Sequence, residues 1–90
     1  MASVTEIGLG RTMERKLRTV GISSAEELRS LGSRAAVMRL KAAYPGTCVV
    51  ILYHLEAALH GVEIKQLGAD VKRELKEWFY RLEKGELQWN

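Results

Sequence analysis

The chain has 90 residues and a mass of 10.1 kDa, which is enough for one domain with a modest hydrophobic core. Hydrophobic residues make up 47% of the sequence and charged residues 28%, a balance typical of folded domains and not of disordered chains. The single cysteine excludes an internal disulfide, and the apolar run at 49–53 is far shorter than the roughly 20 residues that span a bilayer. The first residues also lack the basic start and apolar run of a signal peptide. The sequence therefore predicts one cytoplasmic domain, 1–90, without membrane contact.

The positive charge is concentrated in the first half of the chain. The net charge is +3. Residues 1–45 hold eight lysines or arginines against four glutamates, whereas residues 46–90 hold six against seven acidic residues. A basic half favours an anionic partner, either nucleic acid or an acidic protein surface. The alternative is ordinary charge scatter on a soluble surface, because strong nucleic-acid binders carry denser basic patches.

The first predicted helix lies between Gly10 and Gly21. Its apolar residues recur at the spacing i, i+4, i+7, which places them on one buried face of a helix. They are Met13, Leu17 and Val20. Gly21 suits the left-handed position that ends many helices, and Ile22 supplies the hydrophobic contact that often follows it.

Two further helices are predicted between residues 24 and 44. Ser24 stands three residues before Glu27, and this capping-box spacing indicates the start of a second short helix that runs through residue 31. Gly32 ends this helix, and Ser33 is predicted to cap a third helix that runs to about residue 44. The buried stripe of the third helix is predicted to consist of Val37, Leu40 and Tyr44. The Pro-Gly pair at 45–46 then breaks the chain.

The segment from Thr47 to Gly61 is the most apolar of the chain. Its β-branched run at 49–53 also fits a buried strand. We predict a helix because the apolar pattern continues for over a dozen residues and no second strand is available for pairing. A helix that is apolar on every side must be enclosed by its neighbours, so this one is predicted to form the core.

The last predicted helix covers about 69–84 and follows an irregular turn at 62–67. Its apolar face consists of Val71, Leu75, Trp78, Phe79 and Leu82. Elsewhere on this helix, basic residues alternate with glutamates, which predicts a solvated, ion-paired face. The sequence thus predicts an all-α fold, a compact single-domain bundle of five to six short helices around a central apolar helix. The core of the domain is predicted at about 6–84, with a tail at 85–90.

The start of the first helix contains the predicted nucleic-acid or anion-binding site. Gly8 and Gly10 let the backbone turn tightly and approach a ligand, and the first N–H groups of a helix attract anions. Arg11, Arg15 and Arg18 repeat opposite the apolar face, and each guanidinium offers a planar fork of donors to phosphate oxygens. The alternative is that the glycines only shape a turn and the arginines solvate an exposed face, because a lone Gly-x-Gly is a weak motif.

Three consecutive aromatic residues on the last helix suggest a second interaction site. Trp78 and Phe79 lean toward the apolar face of the helix, whereas Tyr80 projects elsewhere. Trp78 and Tyr80 are predicted to contact a protein partner or a second copy of the chain. The alternative is a wide core stripe with a partly exposed tyrosine.

Enzyme chemistry has little support in the sequence. His54 and His60 are six residues apart on one helix, so they point in different directions and cannot form a two-histidine metal pair. Cys48 lies near the start of the fourth helix without an evident general base, and a packing role is usual for such a cysteine. The sequence holds no serine nucleophile elbow, phosphate-binding loop or paired-carboxylate motif. We predict a non-enzymatic protein with no catalytic residues, metal, cofactor or small-molecule substrate; a small hydrolase or metal enzyme is the remaining alternative.

An ordered set of landmarks over about residues 6–82 resembles the TfoX C-terminal domain family. The landmarks are Leu9-Gly10, the stretch from Leu17 to Gly21-Ile22, Ser24 with Glu27-Leu28, Leu31-Gly32, Arg39-Leu40-Lys41, Pro45-Gly46, and the stretch from Leu52 through Leu55-Glu56-Ala57-Ala58-Leu59 to Gly61. The sequence departs from the family at Ile7, where many members have proline, and at Ile64, where many have tryptophan.

The resemblance implies a compact helical fold related to helix-hairpin-helix modules, with no catalytic residues and no cofactor. It also implies a link to the regulation of DNA uptake and natural competence in bacteria. Longer members of the family act as transcriptional regulators or co-activators and carry a separate N-terminal domain, which we expect this chain to lack. The partners expected from the resemblance are DNA or a transcription-regulatory protein, and a homodimer is the further possibility that the aromatic residues raise.

Overall fold

A computed structural model describes residues 9–85 of the chain. It contains five α-helices, which are α1 (Arg11–Thr19), α2 (Ala25–Leu31), α3 (Ser33–Ala43), α4 (Val49–His60) and α5 (Ala69–Glu83), and one turn of 3-10 helix (Ile64–Gln66). No strand occurs in this range, which confirms the predicted all-α bundle. Of the helices described, none combines the length and the apolar character that crossing a bilayer requires. Residues 86–90 of the predicted tail lie outside the described range.

A tight hairpin joins α1 to α2. The amide of Gly21 donates to the carbonyl of Arg18 at 3.0 Å, and the amide of Ile22 donates to the carbonyl of Leu17 at 2.8 Å. These two bonds form the Schellman motif, and the φ of +86° at Gly21 is the left-handed conformation that favours glycine. Ile22 is fully buried. The predicted end of the first helix is confirmed.

The start of α2 has the predicted cap. The hydroxyl of Ser24 accepts the amide N–H of Glu27 at 3.2 Å, as an N-cap serine does. The carboxylate of Glu27 accepts the hydroxyl of Ser23 at 2.6 Å. In the first turn of α2, the amide of Glu27, which has no carbonyl partner within the helix, therefore has a hydrogen-bond acceptor, and the Glu27 carboxylate is held in place.

The junction between α2 and α3 differs from the prediction. Ser33 does not cap α3, because Gly32 is the N-cap and Ser33 is the first helical residue. Gly32 has φ +85° and ψ 162°, a conformation open essentially to glycine alone, and it turns the chain from one helix into the next. The buried hydroxyl of Ser33 donates instead to Glu56 of α4.

Replacement of Gly32 by alanine is expected to lower the free energy of unfolding by about 1–3 kcal/mol. A Cβ at this position would meet no atom within 4 Å, so the cost comes from the backbone alone. Gly46→Ala is the matched control, because Gly46 has no positive φ and equally open surroundings. Urea unfolding of both variants tests the prediction, and equal stabilities would contradict it.

The α4 segment is a helix, as predicted, and not a strand. It packs against α3, α5 and the 3-10 turn, with Leu52 and Leu55 fully buried. It is not enclosed on every side, however, since Val50 is 47% exposed and His54 is exposed. Cys48, expected to be a packing residue, is also exposed, at the N-cap of α4. A domain of this size has too few neighbouring helices to surround one completely.

The hydrophobic core lies where the faces of the five helices meet around α3 and α4. Its cluster consists of Leu9, Leu17, Ile22, Leu28, Ala36, Val37, Leu40, Leu52, Leu55, Ala58, Leu75 and Phe79. The predicted stripes of α1, α3 and α5 all contribute to it, and their outer members are partly buried against it: Met13, Val20, Tyr44, Val71 and Trp78. The predicted helix faces are therefore confirmed.

The side chain of Lys41 joins three parts of the fold. Its Nζ atom donates to the carbonyls of Pro45 and Thr47, both at 3.3 Å, and lies 3.4 Å from the carboxylate of Glu83 on α5. The same ammonium lies 5.2 Å from the centre of the Phe79 ring, within cation–π range. This cation holds the α3–α4 loop against α5.

Candidate nucleic-acid interface

The three predicted arginines share the outer face of α1. Arg11, Arg15 and Arg18 are all exposed, on the side of the helix opposite the fully buried Leu17. We call these three residues the basic face of α1. Arg11 and Arg15 form no ion pair with any residue in 9–85, while Arg18 lies 3.4 Å from the carboxylate of Glu14 on an exposed surface. An exposed pair of this kind is weak, so Arg18 can turn toward a phosphate at little cost.

The N-terminus of α1 adds to the positive potential of this face. Gly10 is the N-cap and supplies no side-chain hydrogen bond, so the first amide groups of the helix lack a cap of that kind. The positive end of the helix dipole lies beside Arg11, a juxtaposition that an anion would stabilise. The backbone of Gly10 is extended, with φ −75° and ψ 169°. Gly8 lies outside the described residues.

The other basic side chains of the first half are largely engaged within the fold. The ammonium of Lys16 lies 5.1 Å from the ring of Tyr44, the guanidinium of Arg34 lies 5.9 Å from the ring of Trp78, and Arg39 donates to the carbonyl of Val20 at 3.3 Å. Lys41 is held as described above. Among the basic residues of the first half, all of which the structure describes, Arg29 joins Arg11 and Arg15 in having no such contact. Within this half, the basic side chains available to a partner are therefore concentrated on α1.

The two predicted partner-binding aromatic residues of α5 do not form one patch. Trp78 is half-buried beside Arg34 and packs against the core. Tyr80 is 58% exposed, and the ammonium of Lys84 lies 4.6 Å from the centre of its ring. Positions two apart on a helix project to nearly opposite sides, so a single partner surface would reach only one of the two rings fully.

A polar cluster that the sequence analysis did not predict links α3 to α4. The hydroxyl of Ser33 donates to Oε1 of Glu56 at 2.5 Å, and Oε2 of Glu56 lies 2.9 Å from Nε2 of His60. Burial raises the pKa of Glu56, but the hydrogen bonds from Ser33 and His60 and the charges of His60 and Arg34 outweigh it, so this pKa lies below its usual 4.5. The carboxylate stands between the hydroxyl and the imidazole, which is not the order of a catalytic triad.

The remaining candidates for chemistry stay apart from one another. Within residues 9–85, no three histidine, cysteine, aspartate or glutamate side chains form a group that could hold a metal ion. His54 and His60 are both exposed, and α4 ends at Gly61, so Glu63 does not join the Glu56–His60 pair on one helical face.

The fold is similar to solved structures of proteins from Listeria monocytogenes. One is the triclinic form of an uncharacterized protein, with a TM-score of 0.81 and 33% identity over 83% of this chain and 85% of that chain. Another is the tetragonal form of a protein of unknown function, with a TM-score of 0.85 and 31% identity over 89% of this chain and 99% of that chain. No curated protein gives a significant match.

The family model of the TfoX C-terminal domain matches residues 8–79. The matched region begins just before α1 and extends into α5, so it includes the hairpin, the Pro-Gly break and the apolar α4. These are the landmarks on which the resemblance was based. The chain belongs to the TfoX C-terminal domain family.

Proposed function

We propose that the domain is a non-enzymatic regulatory module that binds duplex DNA through Gly10 and the basic face of α1. The observation that carries the proposal is the exposure of Arg11, Arg15 and Arg18 beside a helix N-terminus whose N-cap residue, Gly10, supplies no side-chain hydrogen bond. Membership of the TfoX family supports a role in regulation, and natural competence is the process that the family suggests. The proposed setting is the bacterial cytoplasm, with DNA or a DNA-bound regulator as the partner.

Electrostatics favours α1 over the hairpin as the surface that contacts phosphates. The first turn of α2, which follows the hairpin, carries Glu26 and Glu27, and these carboxylates would repel a phosphate there. α1, in contrast, carries one glutamate, Glu14, against four basic residues. Three guanidinium groups would mainly contact the phosphate backbone of the DNA. Such contacts position a protein on DNA without reading the base sequence.

A salt titration tests the proposal with a fluorescent duplex of about 20 base pairs in an anisotropy assay between about 50 and 200 mM salt. Three phosphate contacts predict a slope of log K against log salt of about −2.7. Arg15→Ala is expected to weaken binding and to reduce the magnitude of the slope by about 1. Lys65→Ala removes the same charge from the exposed turn between α4 and α5 and is the matched control.

Two outcomes would contradict DNA binding by α1. One is the absence of binding at the lowest salt concentration. The other is an equal loss of affinity in Arg15→Ala and Lys65→Ala, since it would mean that net charge alone governs the contact. Circular dichroism of both variants checks that the helical fold is retained, as expected for exposed side chains.

The alternative function is protein interaction or self-association without nucleic-acid contact. The exposure of Tyr80 favours it, because large aromatic side chains on a surface are common in interfaces. It predicts a dimer in sedimentation experiments that Tyr80→Asp disrupts, together with no DNA binding at any salt concentration. A monomer that binds DNA with the salt dependence given above excludes this alternative.

A further inference from the structure

Several lysines and arginines on the outer face of α5 lack the ion pairs that its sequence suggests. Alternating charges predicted an ion-paired face, but the one intrahelical pair in the described part of α5 is Arg73 with Asp70, at 4.0 Å. Glu83 is drawn to Lys41 of α3 instead. Lys76 and Arg81 have no ion pair with a carboxylate among residues 9–85. The predicted ion-paired face is therefore mostly absent.

These cations surround one exposed aromatic ring. We define the α5 strip as Arg73, Lys76, Tyr80, Arg81 and Lys84. Four of its members line a shallow groove together with Glu77, and the ammonium of Lys84 lies 4.6 Å from the centre of the tyrosine ring. From residue 73 to residue 84 the helix rises about 16 Å.

We infer that the α5 strip binds single-stranded nucleic acid, with a base stacked on Tyr80 and phosphates held by the surrounding lysines and arginines. This inference rests on the proposed nucleic-acid function and adds a second surface to it. An exposed ring among cations fits unpaired bases, because every base has a π-face for stacking and every nucleotide carries a phosphate. Bases inside a duplex are already stacked on their neighbours, so the strand must be single.

Two other occupants of the α5 strip fit the observations less well. An acidic peptide would satisfy the cations but would make no use of the exposed ring of Tyr80 as a stacking platform. A second copy of the chain, related by two-fold symmetry, would bring the same lysines and arginines face to face. Like charges placed opposite each other in an interface are unfavourable.

The test uses a fluorescent oligothymidine of about 15 nucleotides in the same anisotropy assay. Tyr80→Ala is expected to weaken binding by about 5- to 100-fold. Tyr80→Phe keeps the ring and is expected to bind like the original protein. The duplex affinity of Tyr80→Ala is expected to stay within about twofold, because its basic face of α1 is intact.

Three results would overturn the inference. The first is that Tyr80→Ala binds oligothymidine with the affinity of the original protein. The second is that Tyr80→Phe and Tyr80→Ala lose the same amount of affinity for oligothymidine. The third is that Tyr80→Ala weakens polyglutamate binding by the same factor, which would indicate a surface for acidic peptides. The outcome is separable from that of the main proposal. If duplex binding fails while Tyr80-dependent binding of the single strand persists, the function proposed for α1 falls and the α5 strip remains.

Discussion

Replacement of Leu55 by alanine is expected to lower the free energy of unfolding by about 2–5 kcal/mol. Leu55 is fully buried in α4 and belongs to the cluster that joins this helix to α3 and α5. Truncation removes apolar contacts and leaves a cavity that the packed helices can fill only in part. Urea denaturation followed by circular dichroism measures the loss as a lower midpoint with an unchanged m-value.

Arg15→Ala is the control for this stability prediction. Arg15 is exposed on α1 and has no ion pair among the described residues, so its removal is expected to change the free energy of unfolding by no more than about 0.5 kcal/mol. Similar losses in the two variants would contradict the assignment of inner and outer helix faces. The control also matters for DNA binding, because a stable variant makes any loss of affinity interpretable.

Replacement of Glu56 by alanine is expected to cost about 1–3 kcal/mol of stability. Ser33 is only 3% exposed, and its hydroxyl would lose its hydrogen-bond acceptor. The polar link between α3 and α4 would be lost with it. Glu74→Ala removes the same charge from an exposed position on α5 and is expected to have little effect. In the double variant with Ser33→Ala, the losses are expected to be less than additive, because both changes break one hydrogen bond. Strict additivity would contradict the coupling.

The same carboxylate predicts how stability depends on pH. Because the folded state lowers the pKa of Glu56 below 4.5, the unfolded chain takes up the proton first as the pH falls. The stabilising contribution is therefore complete above the unfolded pKa and is lost as the pH falls through the folded pKa. Urea midpoints measured from neutral pH down to acid are expected to fall less steeply for Glu56→Gln than for the original protein. Parallel pH profiles would contradict this role.

The helix boundaries were predictable because their signals are local. Gly21 and Ile22 form a Schellman motif and lie within three residues of the last residue of α1. Ser24 likewise caps α2, the helix that it immediately precedes. Ser33 was misassigned because two residues compete for the same cap, and the unusual backbone of Gly32 decides between them. The exposure of Val50 depends on which sides of α4 have a neighbouring helix, and periodicity within one helix does not contain that information.

The candidate sites also include features that the sequence predicts and features that it does not. The outward position of Arg11, Arg15 and Arg18 follows from helical periodicity within a single segment. The interaction of Ser33 with Glu56 joins residues that are 23 apart in sequence, so only the packing of α3 on α4 reveals it. Likewise, the ion pair between Glu83 and Lys41 joins residues that are 42 apart in sequence, so the sequence of α5 alone does not predict it.

The most direct test of DNA binding by α1 is a nuclear magnetic resonance titration of isotope-labelled protein with an unlabelled duplex. Binding by the basic face of α1 predicts that the largest amide shifts occur at residues 10–18 and reverse when salt is added. Saturation with DNA that leaves these amides unchanged, or shifts that are largest in α2, would contradict it.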